Sequence, residues 1–314
     1  MEFSIEKTVR QGAMCIEVSP DGSRAAVSSE RSVGIYTMPE LKREGSFRLS
    51  NPGTMVFLSD SRSLLILNTT GVLYLWDGTE LERLGDWQVP EWYENPLHYL
   101  GEDMVLWAAV GGVWRYHVPS RTMTRLYETD RNVQLGPVEN GVVRFTECER
   151  SYIGLHHIDF VTMTTEGDVL SRVTTREKLP ECFWPGCWTD DGAFIYGAQL
   201  IPQNLTGVRT EGCIFRVDTR SGEVLVRRSV DVDSMNTGFS SGRGLVVQRS
   251  HALHRDILFR DPGTLEELGR IEYDAMLGKL DLNPLEEVVF LDGDSFLLGS
   301  WSRLVRPVSA RSKG

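Results

Sequence analysis

Residues Ala13 to Leu49 read AMCIEVSPDGSRAAVSSERSVGIYTMPELKREGSFRL. An apolar run ends at Ser19-Pro20-Asp21-Gly22, residue types that each favour a tight turn for their own steric reason. A second run follows at Ala25, Ala26 and Val27, a third at Val33, Ile35 and Tyr36, and a more polar fourth closes the stretch. Four short strands with tight turns in about 37 residues have the size of one β-propeller blade, and the remaining chain is a set of looser copies of this unit.

The copies can be counted outward from it. Unit two runs from Thr54 to Val89, unit three from Pro96 to Thr129 and unit four from Asn132 to Thr175. Unit five runs from Phe183 to Val230, with Thr189-Asp190-Asp191-Gly192 where the first unit has its Pro-Asp-Gly turn, and unit six from Met235 to Tyr273. The spacing predicts a third strand of unit four over Leu155 to Met163, and an insertion in unit five from Ile201 to Gly212. The last segment, Val288 to Val308, aligns with Met55 to Leu75 and supplies three strands without a fourth. Phe3 to Val9 alternates as a strand and precedes the first unit, so it is the expected fourth strand. An all-β, seven-bladed β-propeller of four-stranded antiparallel blades follows, with the last blade closed by the N-terminal strand. Such closure removes the exposed edges of an open array.

Two motifs give this pattern a family likeness. Ser19-Pro20-Asp21-Gly22 stands at the first hairpin of unit one, and Trp76-Asp77 closes the third strand of unit two. Ile35-Tyr36, Arg115-Tyr116, Arg216-Val217-Asp218 and Leu258-Phe259-Arg260 occupy equivalent strand ends. The chain resembles a divergent WD40-like β-propeller repeat protein; no Gly-His pair opens a unit, and one Trp-Asp is present. The resemblance implies a single domain over residues 1–314 that binds a protein or peptide.

Composition agrees with a globular chain. Of 314 residues, 41% are hydrophobic and 25% charged, enough to bury a large core. The net charge of −11 disfavours nucleic acid and anionic membrane surfaces, which select clustered Lys and Arg. No run is long enough for a membrane span or an export signal, so a soluble, cytoplasmic protein is expected. The five cysteines, at 15, 148, 182, 187 and 213, are expected to remain thiols, with Cys15, Cys148 and Cys213 buried as small hydrophobes.

Chemistry-bearing patterns are sparse. His156 and His157 are neighbours on a strand and point to opposite sides, which does not suit one metal ion. His251, His254 and Asp256 share a loop with no further ligand, and Cys182 and Cys187 lack the two partners a zinc site needs. No Gly-x-Ser-x-Gly elbow or phosphate-binding loop is present. No cofactor or metal is therefore expected.

The longer loops gather on the face carrying the turns between second and third strands and the links between blades. Trp92 and Tyr93 stand in Pro90–Pro96, and Phe183 and Trp184 in Glu177–Pro185. Aromatic side chains anchor interfaces, so these four are the candidate binding residues, with Tyr152, His254 and Arg255 around them. The expected function is a non-catalytic protein- or peptide-binding scaffold. The alternative is a propeller enzyme, lactonase- or hydrolase-like, or a small-molecule binder, with its site at the mouth of the central channel.

Overall fold

The structure, a computed structural model, describes residues 2–9, 12–86, 97–109, 111–149, 155–180, 186–200, 211–230, 237–242, 244–250, 256–272, 285–291, 296–300 and 304–311. All regular structure among them is β. The chain opens with β1 (Glu2–Val9) and then lays down six four-stranded antiparallel sheets. The first blade is β2 (Cys15–Val18), β3 (Arg24–Ser29), β4 (Ser32–Thr37) and β5 (Lys42–Arg48); the second is β6 (Pro52–Phe57), β7 (Leu64–Asn68), β8 (Val72–Trp76) and β9 (Leu81–Asp86). The third holds β10 (His98–Gly101), β11 (Met104–Ala109), β12 (Gly111–His117) and β13 (Thr122–Thr129).

In the fourth blade β14 (Asn132–Glu139) and β15 (Val142–Cys148) are followed by a short excursion, β16 (Leu155–His156), before β17 (Asp159–Thr164) and β18 (Val169–Thr174) complete the sheet. After β19 (Leu179–Pro180) come the fifth blade, β20 (Cys187–Trp188), β21 (Ala193–Leu200), β22 (Glu211–Asp218) and β23 (Val224–Val230), and the sixth, β24 (Thr237–Gly242), β25 (Leu245–Ser250), β26 (Ile257–Arg260) and β27 (Glu267–Ile271). A further four-stranded sheet joins both ends of the chain. Its strands β28 (Leu285–Phe290), β29 (Phe296–Ser300) and β30 (Leu304–Arg311) are extended by β1, with Thr8 opposite Val305 and Val9 opposite Leu304.

First strands of neighbouring sheets pack on one another, β2 on β6, β6 on β10, β14 on β20 and β20 on β24. This sets first strands at the centre and fourth strands at the rim, the arrangement of a β-propeller. A strand so placed is buried on both faces and loses the usual alternation. Leu64 to Asn68 is buried throughout: Leu64 and Ile66 face a core shared with Ala26, Val33 and Ile35 of the first blade, while Leu65 and Leu67 face one shared with Val105 and Trp107 of the third. Cores of this kind recur between successive sheets. The terminal sheet contributes Val288, Phe296 and Leu298 to a core with Phe259 and Ile257, and Leu297 to one with Ile16, Val27 and Tyr36. At about 1.5–3 kcal/mol for each fully buried large side chain, these inter-sheet cores are the main favourable term in the fold.

Three local expectations need correction. The strand expected over Leu155 to Met163 splits, because the Ile158 N–H is taken by the Thr175 hydroxyl and the His157 ring nitrogen lies 2.8 Å from the Thr175 carbonyl oxygen. Those bonds draw 155–158 off the sheet, and Leu155 and His156 pair instead with Pro180 and Leu179. In unit five, Glu211 and Gly212 belong to the ladder opposite Leu200 and Gln199 rather than to the loop. Cys213 is buried, but Cys15 and Cys148 are only half-buried, both lying near strand ends.

Candidate functional site

The seven residues expected from sequence to carry binding, Trp92, Tyr93, Tyr152, Phe183, Trp184, His254 and Arg255, lie outside the described residues. So do Cys182 and the histidine loop at 251–255. What is described is the framework that presents those segments, and its two faces differ in chemistry.

On one face lie the turns joining first to second and third to fourth strands. Here most aspartates are consumed within their own turns. Asp21 accepts hydrogen bonds from the Ser19 hydroxyl at 2.7 Å and the Ser23 N–H at 2.9 Å, around Gly22 at φ 70°. Asp60 serves Arg62 and Ser63, Asp77 serves Thr79 and Glu80, Asp218 serves Arg220 and Ser221, and Asp261 serves Gly263 and Thr264. Asp191 accepts from the Thr189 hydroxyl and pairs with Arg216. A carboxylate that accepts such bonds is favoured in its charged form. The Glu80 and Thr79 bonds hold Asp77 down to about 2, and the Ser19 and Ser23 bonds likewise hold Asp21 far below the ordinary range. The Trp-Asp motif is thus structural: Asp77 shapes its turn, and Trp76 stacks on Phe47 of the first blade with ring centroids 5.4 Å apart.

On the opposite face, at the junction of the third and fourth blades, two carboxylates sit side by side. Glu147 is the penultimate residue of β15, Asp159 begins β17, and the two are paired across the ladder. Their side chains are 2% and 8% exposed, so each needs cationic partners. Arg172 of β18 supplies one, with Nη1 3.0 Å from both Glu147 Oε2 and Asp159 Oδ2. Arg131, in the link between blades, pairs with Asp159 and lies 3.7 Å from Glu147. The Tyr127 hydroxyl donates to Glu147 Oε2 at 3.0 Å, the Thr129 hydroxyl to Oε1, and the Thr174 hydroxyl to Asp159 Oδ1 at 2.6 Å.

Two carboxylates against two guanidiniums make an electrically closed network. Burial alone would raise Asp159, yet the Thr174 and Arg131 bonds hold it below the ordinary range; burial and the Glu147 charge push Tyr127 up to about 12. The network therefore acts as a clamp, tying the ends of segment 149–158, the 130–131 link and Thr174 into one unit. Sequence inspection missed it, although Glu147 stands in a strand whose Val143 and Phe145 are fully buried.

Beside the clamp, β16 and β19 form a two-stranded ladder on the same face. The two histidines take separate partners. His156 Nδ1 lies 2.9 Å from Glu149 Oε2, and His157 bonds the Thr175 carbonyl. Among the described residues no His, Cys, Asp and Glu grouping could hold a metal ion, Cys15, Cys148, Cys187 and Cys213 form no disulfide, and no helix is long and apolar enough to cross a membrane. On the turn face an open groove of about 370 Å³ separates the second and third blades, with Leu58, Leu75 and Leu84 facing Val118 and Pro119 and with Asp60, Asp103 and Arg121 at its rim.

Comparison with known proteins yields a fold likeness. No family model and no curated protein matches the chain. Among solved structures, the chain is similar to the N-terminal domain of Nup159, a β-propeller, with a TM-score of 0.60 and 10% sequence identity over 97% of this chain and 94% of that one.

Proposed function

We propose that the chain is a divergent WD40-like propeller of seven blades, one domain over residues 1–314 closed where β1 joins β28–β30, that works as a non-catalytic protein- or peptide-binding scaffold. Its binding face is the one carrying the clamp. Trp92, Tyr93, Phe183 and Trp184 are its anchors, with Tyr152, His254 and Arg255 around them.

The observation that carries this reading is the β16–β19 ladder. Tyr152 precedes Leu155 by three positions and Phe183 follows Pro180 by three, so the ladder ties together the described ends of two candidate segments. Function is commonly carried by loops held on a rigid scaffold, and here the Glu147–Asp159 clamp lies next to that ladder. The Nup159 likeness supports the propeller framework and nothing finer. Cytoplasmic residence is part of the proposal.

Binding is tested by alanine substitution of the four aromatic anchors. Each central anchor is expected to cost roughly 2 kcal/mol or more in affinity with the fold unchanged. Wild-type affinity in the quadruple variant overturns the placement. Closure is tested separately by removing residues 1–10, which is expected to lower the melting temperature sharply or give aggregated protein; an unchanged melting curve overturns it.

A further inference from the structure

In each of the six sheets formed by consecutive stretches of chain the outermost strand carries one residue more than its neighbour, one to four ladder pairs from the turn between third and fourth strands. In the first blade Tyr36 lies opposite Arg43 and Ile35 opposite Gly45, leaving Glu44 unpaired in the ladder. A like break leaves out Leu84 in β9, Leu126 in β13, Leu170 in β18, Leu225 in β23 and Leu268 in β27; β1 leaves out Glu6, and a second break in the same ladder gives an extra residue to β30. A one-residue bulge bends the strand and interrupts its pairing. Seven sheets with a bulge in the same strand are not accidents of seven unrelated turns.

Apolar exposure gathers at these breaks. Leu170, Leu225 and Leu268 are 58%, 46% and 45% exposed, and Val169 beside Leu170 is 48% exposed. In the second and third blades the break lies three and four ladder pairs from the turn rather than one, and its leucines are covered: Leu84 packs on the core between the second and third blades, and Leu126 on the next, where Gly167 at φ 104° brings the following blade's turn against it. The fourth strand of a blade is an open edge, and an open edge bearing large apolar side chains invites another strand. In the fourth, fifth and sixth blades the bulge stands where the leucine is uncovered.

We propose that the outer-strand bulges keep the blade edges from pairing with a second copy of this chain, and that β18, with Val169 and Leu170 both exposed, depends on its bulge most. Deleting Leu170 leaves Val169 opposite Met163 and Ser171 opposite Thr162 and makes the strand regular. By sedimentation velocity, the deleted chain is expected to move from the mass of one chain to that of a dimer or larger. Adding Val169→Lys in the same background should return it to the monomer, because a lysine on an edge opposes strand addition; a Leu170→Ser chain, which keeps the bulge, should stay monomeric. A folded deletion variant that sediments as a monomer overturns the proposal, as does association that survives Val169→Lys. Deletion of Leu225 from β23 is the parallel test. If circular dichroism shows that neither deletion variant folds, the bulge belongs to the stability of the blade and the proposal also falls.

Discussion

The two faces of this propeller spend their carboxylates in opposite ways. On the turn face, Asp21, Asp60, Asp77, Asp218 and Asp261 each bond N–H or hydroxyl groups two or three residues away, so each carboxylate serves chiefly its own turn. On the loop face, Glu147 and Asp159 are tied to residues 13 to 28 positions distant through Arg131, Arg172 and Thr174. Local acids shape a turn and can be lost one at a time. The distant ones join a link between blades to three strands, so they stand or fall together.

Substitution should separate the two kinds. Asp159→Ala leaves Arg131 and Arg172 short of a buried partner and is expected to cost about 3 kcal/mol, read from the urea midpoint. A double-mutant cycle between Arg131→Ala and Arg172→Ala should show coupling of about 1 kcal/mol, since both guanidiniums serve the same carboxylates. Asp60→Ala and Asp218→Ala, in turns of the second and fifth blades, should each cost about 1 kcal/mol and add to within roughly 0.5 kcal/mol. Additivity on the loop face, or strong coupling between those two turns, would break the distinction.

Acid should resolve it further. Carboxylates whose folded values are depressed, among them Asp77 at about 2 and, by direction, Asp159, Asp191, Asp218 and Asp261, stabilise the fold above the unfolded value near 4. That stability is lost as pH falls from about 4 through 2. His98 adds an earlier window: burial lowers it to about 4, and its Nε2 is enclosed without a partner. The unfolded chain takes up that proton near pH 6.5 while the folded chain resists until about 4, so stability should fall between those values by at most about 1.4 kcal/mol per pH unit. Melting temperature against pH should show both limbs, and His98→Gln should flatten the first alone.

The repeat was legible because its signals are local. Ser19-Pro20-Asp21-Gly22 and Thr189-Asp190-Asp191-Gly192 announce turns by residue type, and runs such as Leu64 to Leu67 announce strands buried on both sides. The clamp was not legible, since Arg131, Glu147, Asp159 and Arg172 meet only through the pairing of β15, β17 and β18. Nor was the split at Leu155–His156, which depends on Thr175, a residue 17 positions beyond Ile158. The bulged leucines were hidden for a related reason: Leu84, Leu126, Leu170, Leu225 and Leu268 are ordinary in sequence, and only the register shows that each is one residue too many.

The measurement that bears most directly on the scaffold is an affinity capture from lysate of the source organism, using the full chain beside a folded Trp92, Tyr93, Phe183 and Trp184 quadruple alanine variant. A partner held by the full chain and lost by the variant is the expected result. Equal capture by both, or none by either, would contradict a binding face built on those aromatics.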